Sequence, residues 1–258
     1  MTPTAPTLSP TRLRTLFSAP LVALGAVLAL AAQPQAVQAR TVGSGNVATD
    51  TRSVGEFQAV AQQGSIDVTV RQGATPSVTV SADDNLLPLV ETVVESGRNG
   101  ATLVVRVKRG ERISTRNKLA VEIVTPKLVA LASAGNGDLR VENFQTPSLK
   151  LAISGSSDAR LNGLTADELG ISISGSGDVR GSGQAGKLTI SIAGSGDVKL
   201  PDLRADEVQV TIAGSGDAEV HAAKTLKVRI AGSGDVVYSG DATPDTSVAG
   251  SGSVRRKR

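Results

Sequence analysis

The sequence has no cysteine and no tryptophan, one tyrosine, three phenylalanines and one histidine in 258 residues. Without cysteine there can be no disulfide scaffold, thiolate metal site or cysteine nucleophile. With rings only at Phe17, Phe57, Phe144 and Tyr238, the chain has no material for an aromatic platform under sugars or single-stranded nucleic acid. A lone His221 excludes sites built from several histidines. Long apolar runs are also missing. The one candidate, LVALGAVLALAA from Leu21 to Ala32, is well short of the roughly 20 residues that cross a hydrocarbon core. It follows Arg12 and Arg14 and precedes small residues at Val37 and Ala39, which predicts an export signal over 1–39 with cleavage after Ala39. After cleavage no membrane-spanning segment is expected.

A charge excess is missing too. The whole chain carries 27 basic and 24 acidic residues; removing Arg12 and Arg14 leaves 25 against 24, and Arg255, Arg256, Lys257 and Arg258 supply four of those 25. The remaining body, 21 against 24, is slightly acidic, so nucleic acid is not an expected partner. The basic tail at 255–258 reads as a solvated end.

What is present in quantity is glycine, with 28 residues, and it is arranged in a repeat. The copies are LASAGNGDLR at 131, LAISGSSDAR at 151, ISISGSGDVR at 171, ISIAGSGDVK at 190, VTIAGSGDAE at 210, VRIAGSGDVV at 228 and TSVAGSGSVR at 246. Their eighth positions are Asp138, Asp158, Asp178, Asp197, Asp217, Asp235 and Ser253, spaced by 20, 20, 19, 20, 18 and 18. Each copy alternates: Ile171, Ile173, Gly175, Gly177 and Val179 fall on one side, and Ser172, Ser174, Ser176, Asp178 and Arg180 on the other. That is the period of a strand with one buried face. The inward glycines relieve crowding or permit a sharp bend. No intervening segment has the length and apolar stripe of a crossover helix. The expected fold is therefore all-β, a parallel β-solenoid (β-helix) of about 18–20 residues per turn, over 127–254. Seven rungs at ~4.8 Å would make a body roughly 30 Å long. Antiparallel hairpins in a sandwich would explain the alternation but not the near-identical copies.

Residues 40–126 are strand-like as well, with SIDVTV at 65, PSVTVSA at 76, ATLVVRV at 101 and LAVEIV at 119. GSGNV at 43–47 echoes the repeat, and DNLLPLVETVVE at 84 has room for a short helical turn limited by Pro88. This segment is expected to form less regular rungs or a β-rich cap. The export signal, VGEFQAVAQQGSIDVTVRQG from Val54, SADDNLLPLVETVVESG from Ser81 and the successive SGSGDV copies together resemble the auto-transporter adhesin head GIN domain family. The resemblance spans essentially the mature chain. It implies an exported bacterial β-helical domain and brings no catalytic residues with it.

Stacked rungs would place neighbouring aspartates near 5 Å apart, at a cost on the order of 1 kcal/mol per pair even in water. Arg140, Arg160, Arg180 and Lys199 follow two residues after Asp138, Asp158, Asp178 and Asp197 and can neutralise the row, which favours a structural role for the aspartates. Compensation fails at Asp217, followed by Glu219, and at Asp235, followed by Val237; if calcium binds, it binds there. The GSG turns lack the Lys-Ser/Thr and helix of a phosphate-binding loop, and His221 lies in no recognisable triad. No catalytic set and no cofactor is assigned. Ser176, Ser195, Ser215, Ser233 and Ser251 form a polar ladder suited to many weak hydrogen bonds with a glycan or another surface. The expected function is non-enzymatic: binding, adhesion or scaffolding in the cell envelope, in the periplasm or at the cell surface, with a polysaccharide or protein as partner. The alternative is a polysaccharide-active enzyme, which would need acids gathered in a cleft between the N-terminal strands and the solenoid.

Overall fold

The computed structural model describes residues 40–97 and 100–257; the export signal read at 1–39 lies outside the described residues. The N-terminal strands are β1 (Thr41–Val42), β2 (Val47–Arg52), β3 (Ala59–Gly64), β4 (Asp67–Gln72), β5 (Ser77–Asp83), β6 (Val90–Gly97), β7 (Gly100–Val107), β8 (Ile113–Ser114) and β9 (Ala120–Thr125). The repeat supplies β10 (Ala130–Gly135), β11 (Leu139–Glu142), β12 (Gln145–Gly155), β13 (Ala159–Gly175), β14 (Val179–Gly194), β15 (Val198–Gly214), β16 (Ala218–Gly232), β17 (Val236–Ser239), β18 (Thr243–Gly250) and β19 (Val254–Arg256). The helical turn expected around Pro88 is a three-residue 3-10 helix, Leu87–Leu89.

From β10 onward every pairing is parallel and each rung stacks on the one before, as a β-solenoid requires. Alternation puts Leu131, Leu151, Ile171, Ile190, Val210 and Val228 in one buried column and Ile153, Ile173, Ile192, Ile212 and Ile230 in the next. The repeat's uneven spacing is absorbed at one corner. Leu161 pairs with Gly181, twenty residues on, whereas Leu164 pairs with Gly183, nineteen on. Similar shifts fall between Arg180 and Ser182, between Leu200 and Arg204 and between Ala205 and Glu207, after which the strand leading into each GSGD turn stays in strict register.

The two glycines of the motif do different work. The first, as at Gly175, Gly194 and Gly214, has φ near +140°, a region that side chains rarely enter. The second has no such φ but passes so close to the preceding rung that a Cβ at Gly216 would lie 2.2 Å from the carbonyl oxygen of Gly196 and 3.0 Å from Ile192 Cγ2. Ser157 stands at this second position and is fully buried. It is accommodated because the position that carries isoleucine in later rungs is Ser133 there. The Ser157 and Ser133 hydroxyls meet at 2.6 Å, and Ser133 in turn bonds the buried side-chain carbonyl of Gln62. A small residue in one rung thus permits a side chain in the next.

The N-terminal segment provides both a rung and a cap, in an order the chain does not follow. β3 pairs in parallel with β10 on one side and β7 on the other, and β4 lies likewise between β11 and β9. The chain leaves the β3–β4 rung, builds an outer rung from β7 and β9, and returns through 126–129 to continue on the other side. Antiparallel pairings of β6 with β7, and of β5 with β2 and β9, close the outer end. GSGNV is no rung. Its turn is tied to the cap: Gly45 N–H donates to Asp83 Oδ1 at 2.9 Å and Ser44 N–H to Asn85 Oδ1 at 2.9 Å.

Gly216→Ala is expected to destabilise the fold by about 1–3 kcal/mol through overpacking, while Ser215→Ala, one residue away and exposed, changes it by no more than about 0.5 kcal/mol; thermal or urea unfolding checks both. Ser133→Ile is expected to destabilise by a similar amount, and adding Ser157→Gly to recover part of the loss, which a double-mutant cycle measures.

Candidate functional site

The GSGD turns sit on one edge of every rung, and the strict register lines their side chains up along the stack. The serines at the second position, Ser176, Ser195, Ser215, Ser233 and Ser251, are all exposed. Their N–H groups donate to Gly155, Gly175, Gly194, Gly214 and Gly232 of the preceding rung at 2.9–3.0 Å, which fixes the backbone under each hydroxyl.

The aspartates form a second row, and its hydrogen bonding explains why carboxylates can stack at one-rung spacing. Asp178 N–H donates to Asp158 Oδ1 at 3.1 Å, Asp197 N–H to Asp178 Oδ1 at 3.1 Å, Asp217 N–H to Asp197 Oδ1 at 3.0 Å and Asp235 N–H to Asp217 Oδ1 at 2.8 Å. Each of these carboxylates therefore accepts the backbone donor of the next aspartate, a charge-assisted bond stronger than a neutral one. At Asp138, Asp178 and Asp197 the second oxygen meets a cation. Arg180 reaches Asp178 at 3.1 Å and Lys199 reaches Asp197 at 2.9 Å, while Arg140 and Arg160 converge on Asp138 at 3.1 and 3.2 Å. Arg160 thus serves the preceding rung's aspartate rather than Asp158. At Asp197, partial burial works against the charge, but the Lys199 ammonium, Asp217 N–H and Arg180 outweigh it and hold the carboxyl below its usual range.

The row begins and ends where the sequence pattern is disguised. Its first member is Asp67, in GSID at 64–67, whose Oδ1 accepts Asp138 N–H at 3.0 Å. The signal was the retained Gly-Ser-x-Asp spacing, hidden by Ile66 at the second glycine position and by a 71-residue gap to Asp138. Ile66 fits because the rung outside it has no tight turn: the chain between Val107 and Ala120 runs out in a loop. At the other end, Ser253 donates both N–H and Oγ–H to Asp235 Oδ1, each at 2.9 Å. With serine at this position the side chain donates along with the backbone, where the earlier aspartates donate through the backbone.

The suggested calcium positions are engaged within the row. Asp217 and Asp235 accept the bonds just described, and Glu219 pairs with Lys257 Nζ at 2.7 Å. Among the described residues no group of three or more histidine, aspartate or glutamate side chains is placed to hold a metal ion. The tail continues the sheet: Val254–Arg256 is β19, and Arg256 donates to the Gly240 carbonyl at 2.7 Å. His221 Nδ1 lies 3.0 Å from Ser239 Oγ in the adjacent rung. A cleft of about 560 Å³ lies within the N-terminal segment, lined by residues between Arg40 and Leu119 and by none of the repeat, and the one carboxylate lining it is Asp67.

The described residues form an all-β parallel solenoid with a β-rich cap and a repeated GSGD edge. Residues 56–242 match the family described as "Putative auto-transporter adhesin, head GIN domain", and the chain belongs to that family. The fold also matches the crystal structure of a "putative adhesin" from Bacteroides fragilis, with a TM-score of 0.77, 23% identity, and coverage of 84% of this chain and 99% of that one. A "putative lipid binding protein" from Parabacteroides distasonis is similar at a TM-score of 0.70 and 25% identity, over 85% of this chain and 100% of its own. A "putative adhesin" from the same organism is similar at a TM-score of 0.66 and 26% identity, over 85% and 100%. No curated protein matches significantly. Among the described residues no helix is long and apolar enough to cross a membrane.

Because the folded-state pKa of Asp197 is depressed, its contribution to stability is present above the unfolded value of about 3.9 and is lost as pH falls through the folded value. Asp197→Asn keeps an acceptor for Asp217 N–H but does not titrate. Unfolding followed between pH 7 and pH 2 (about the carboxylate range) is expected to show a shallower acid loss in this variant than in the native protein, with Asp197→Ala less stable than Asp197→Asn at neutral pH.

Proposed function

We propose that this protein is an exported, non-enzymatic binding protein of the bacterial cell envelope, which uses its GSGD edge as a rigid, repetitive surface for a polysaccharide or a surface protein. The observation that carries the reading is the serine ladder: five exposed hydroxyls, one per rung, on backbone fixed by hydrogen bonds to the rung beneath. Each single contact is weak, but hydroxyls repeated at ~4.8 Å engage an extended polymer at several points at once. The family and the structural relatives described as adhesins support a surface or exported setting. The alternative of a polysaccharide-active enzyme has less support: glycoside hydrolysis commonly employs two facing carboxylates, whereas one N-terminal cleft offers Asp67 alone and in another Glu91, Glu95 and Glu111 stand among Arg106, Lys108 and Arg109, with Glu91 and Glu95 both paired to Arg106.

The test is capture of the mature protein on immobilised cell-wall polysaccharide. A Ser195→Ala/Ser215→Ala variant removes two hydroxyls worth about 1 kcal/mol each and is expected to bind about tenfold more weakly or worse, with its melting temperature unchanged. Capture equal to the native protein would overturn this use of the edge.

A further inference from the structure

A second face of the solenoid carries a feature that the fold does not explain. Among the glycines of the repeat, those of the GSGD turns have either a positive φ or a backbone atom of the adjacent rung well inside the reach of a Cβ. Gly170 has neither. It lies in the middle of β13 without a positive φ, and the nearest atom to a Cβ at this position would be Lys150 Cγ at 3.9 Å, an ordinary van der Waals contact. Glycine weakens a strand interior, so nothing in the stacking favours it here. In the same column the flanking rungs carry Lys150 and Thr189, and later rungs Gln209 and Lys227.

The missing side chain opens a groove of about 520 Å³ across β10, β12, β13 and β14. Its size is that of a small-molecule site. The lining is predominantly carbon, with Ala132 and Ala152 beside Gly170 on the outer face, and it contains no aromatic ring. Its charged residues are Lys150, Lys187 and Glu168, all exposed, which leaves the groove with one more cation than anion. Neither lysine makes an ion pair with another described residue. Glu168 stands opposite Lys187 in the strand register, so Lys150 is the cation without a facing acid.

From this geometry we infer that the Gly170 groove binds a single-chain anionic amphiphile, an alkyl or acyl tail ending in a carboxylate or phosphate. Ala132, Ala152 and the bare Gly170 backbone seat the tail, and Lys150, the cation without a facing acid, holds the head; Lys187 stands between Glu168 and Glu207 in the register. A saccharide fits this lining less well, because most of its exposed surface is carbon even with the hydroxyls of Ser148, Ser172, Thr189 and Ser191 at hand, and no ring is available for stacking. The site lies on different residues from the serine edge and does not depend on the function proposed for that edge.

The experiment is displacement of a fluorescent acyl probe from the mature protein by dodecyl phosphate and dodecanoate, each below its micellar concentration. Dodecyl maltoside supplies the tail without charge, and inorganic phosphate the head without a tail. Both anionic amphiphiles are expected to displace the probe, the maltoside more weakly and phosphate not at all. Gly170→Val fills the groove with a side chain that suits a strand; it is expected to weaken anionic amphiphile binding at least about tenfold without lowering the melting temperature. Lys150→Ala is expected to weaken dodecyl phosphate by a similar factor and to leave dodecyl maltoside unchanged, which keeps the proposal open to refutation even if the valine variant folds poorly. Native-like binding by either variant, equal binding of the maltoside and the phosphate ester, or displacement by inorganic phosphate alone would overturn the inference.

Discussion

The distance between successive backbones at the GSGD turn is the constraint on which the rest of the molecule depends. At the second glycine a Cβ would lie 2.1–2.3 Å from a carbonyl oxygen of the preceding rung in every copy from Gly177 to Gly252. In those copies only a residue with no side chain can pass; Ser157, set against Ser133, is the exception within the repeat. The first glycine must also take a φ closed to most residues, so that the chain turns without leaving the stack. Once both conditions are met, the serine and aspartate between and after them have no freedom of register. Their alignment into rows follows from the packing of the glycines.

That alignment creates an electrostatic problem and supplies most of its answer. Carboxylates repeated at one-rung spacing repel one another, yet the same spacing places a backbone N–H beside Oδ1 of Asp67 and of every aspartate from Asp158 to Asp235, and a basic side chain beside several of the second oxygens. The row starts at Asp67 and ends at Ser253, where the donor from a further rung would be needed and the side chain changes to one that donates. The exposed serines are left outside this network, which is why the edge has hydroxyls to offer and the aspartates do not behave as a free acidic cluster.

Much of the solenoid was legible because strand alternation and a near-constant period are local properties of the chain. The buried isoleucine columns, the exposed serines and the pairing of Arg140, Arg180 and Lys199 with the aspartates two residues before them could all be read from Ile171 to Val179 and its counterparts. Other features were illegible for stated reasons. GSID at 64–67 does not look like a rung, because Ile66 replaces a glycine where no tight turn lies outside it. The partner of Arg160 is one rung away, and no sequence pattern chooses between Asp138 and Asp158. Ser133 and Ser157 look like casual substitutions until the two hydroxyls are seen in contact.

The amino-acid sequence by itself determined the strand period, the inward and outward faces and the parallel stacking of the repeat, because each follows from alternation and from glycine at fixed positions. It also settled which chemistries the chain lacks the residues to perform. Tertiary structure decided the order of the first rungs, in which β3 and β4 lie between an outer rung and β10 although the outer rung comes between them in the chain. It alone separated Gly170 from the glycines that packing requires, since that distinction is a distance to a neighbouring rung and not a property of the residue.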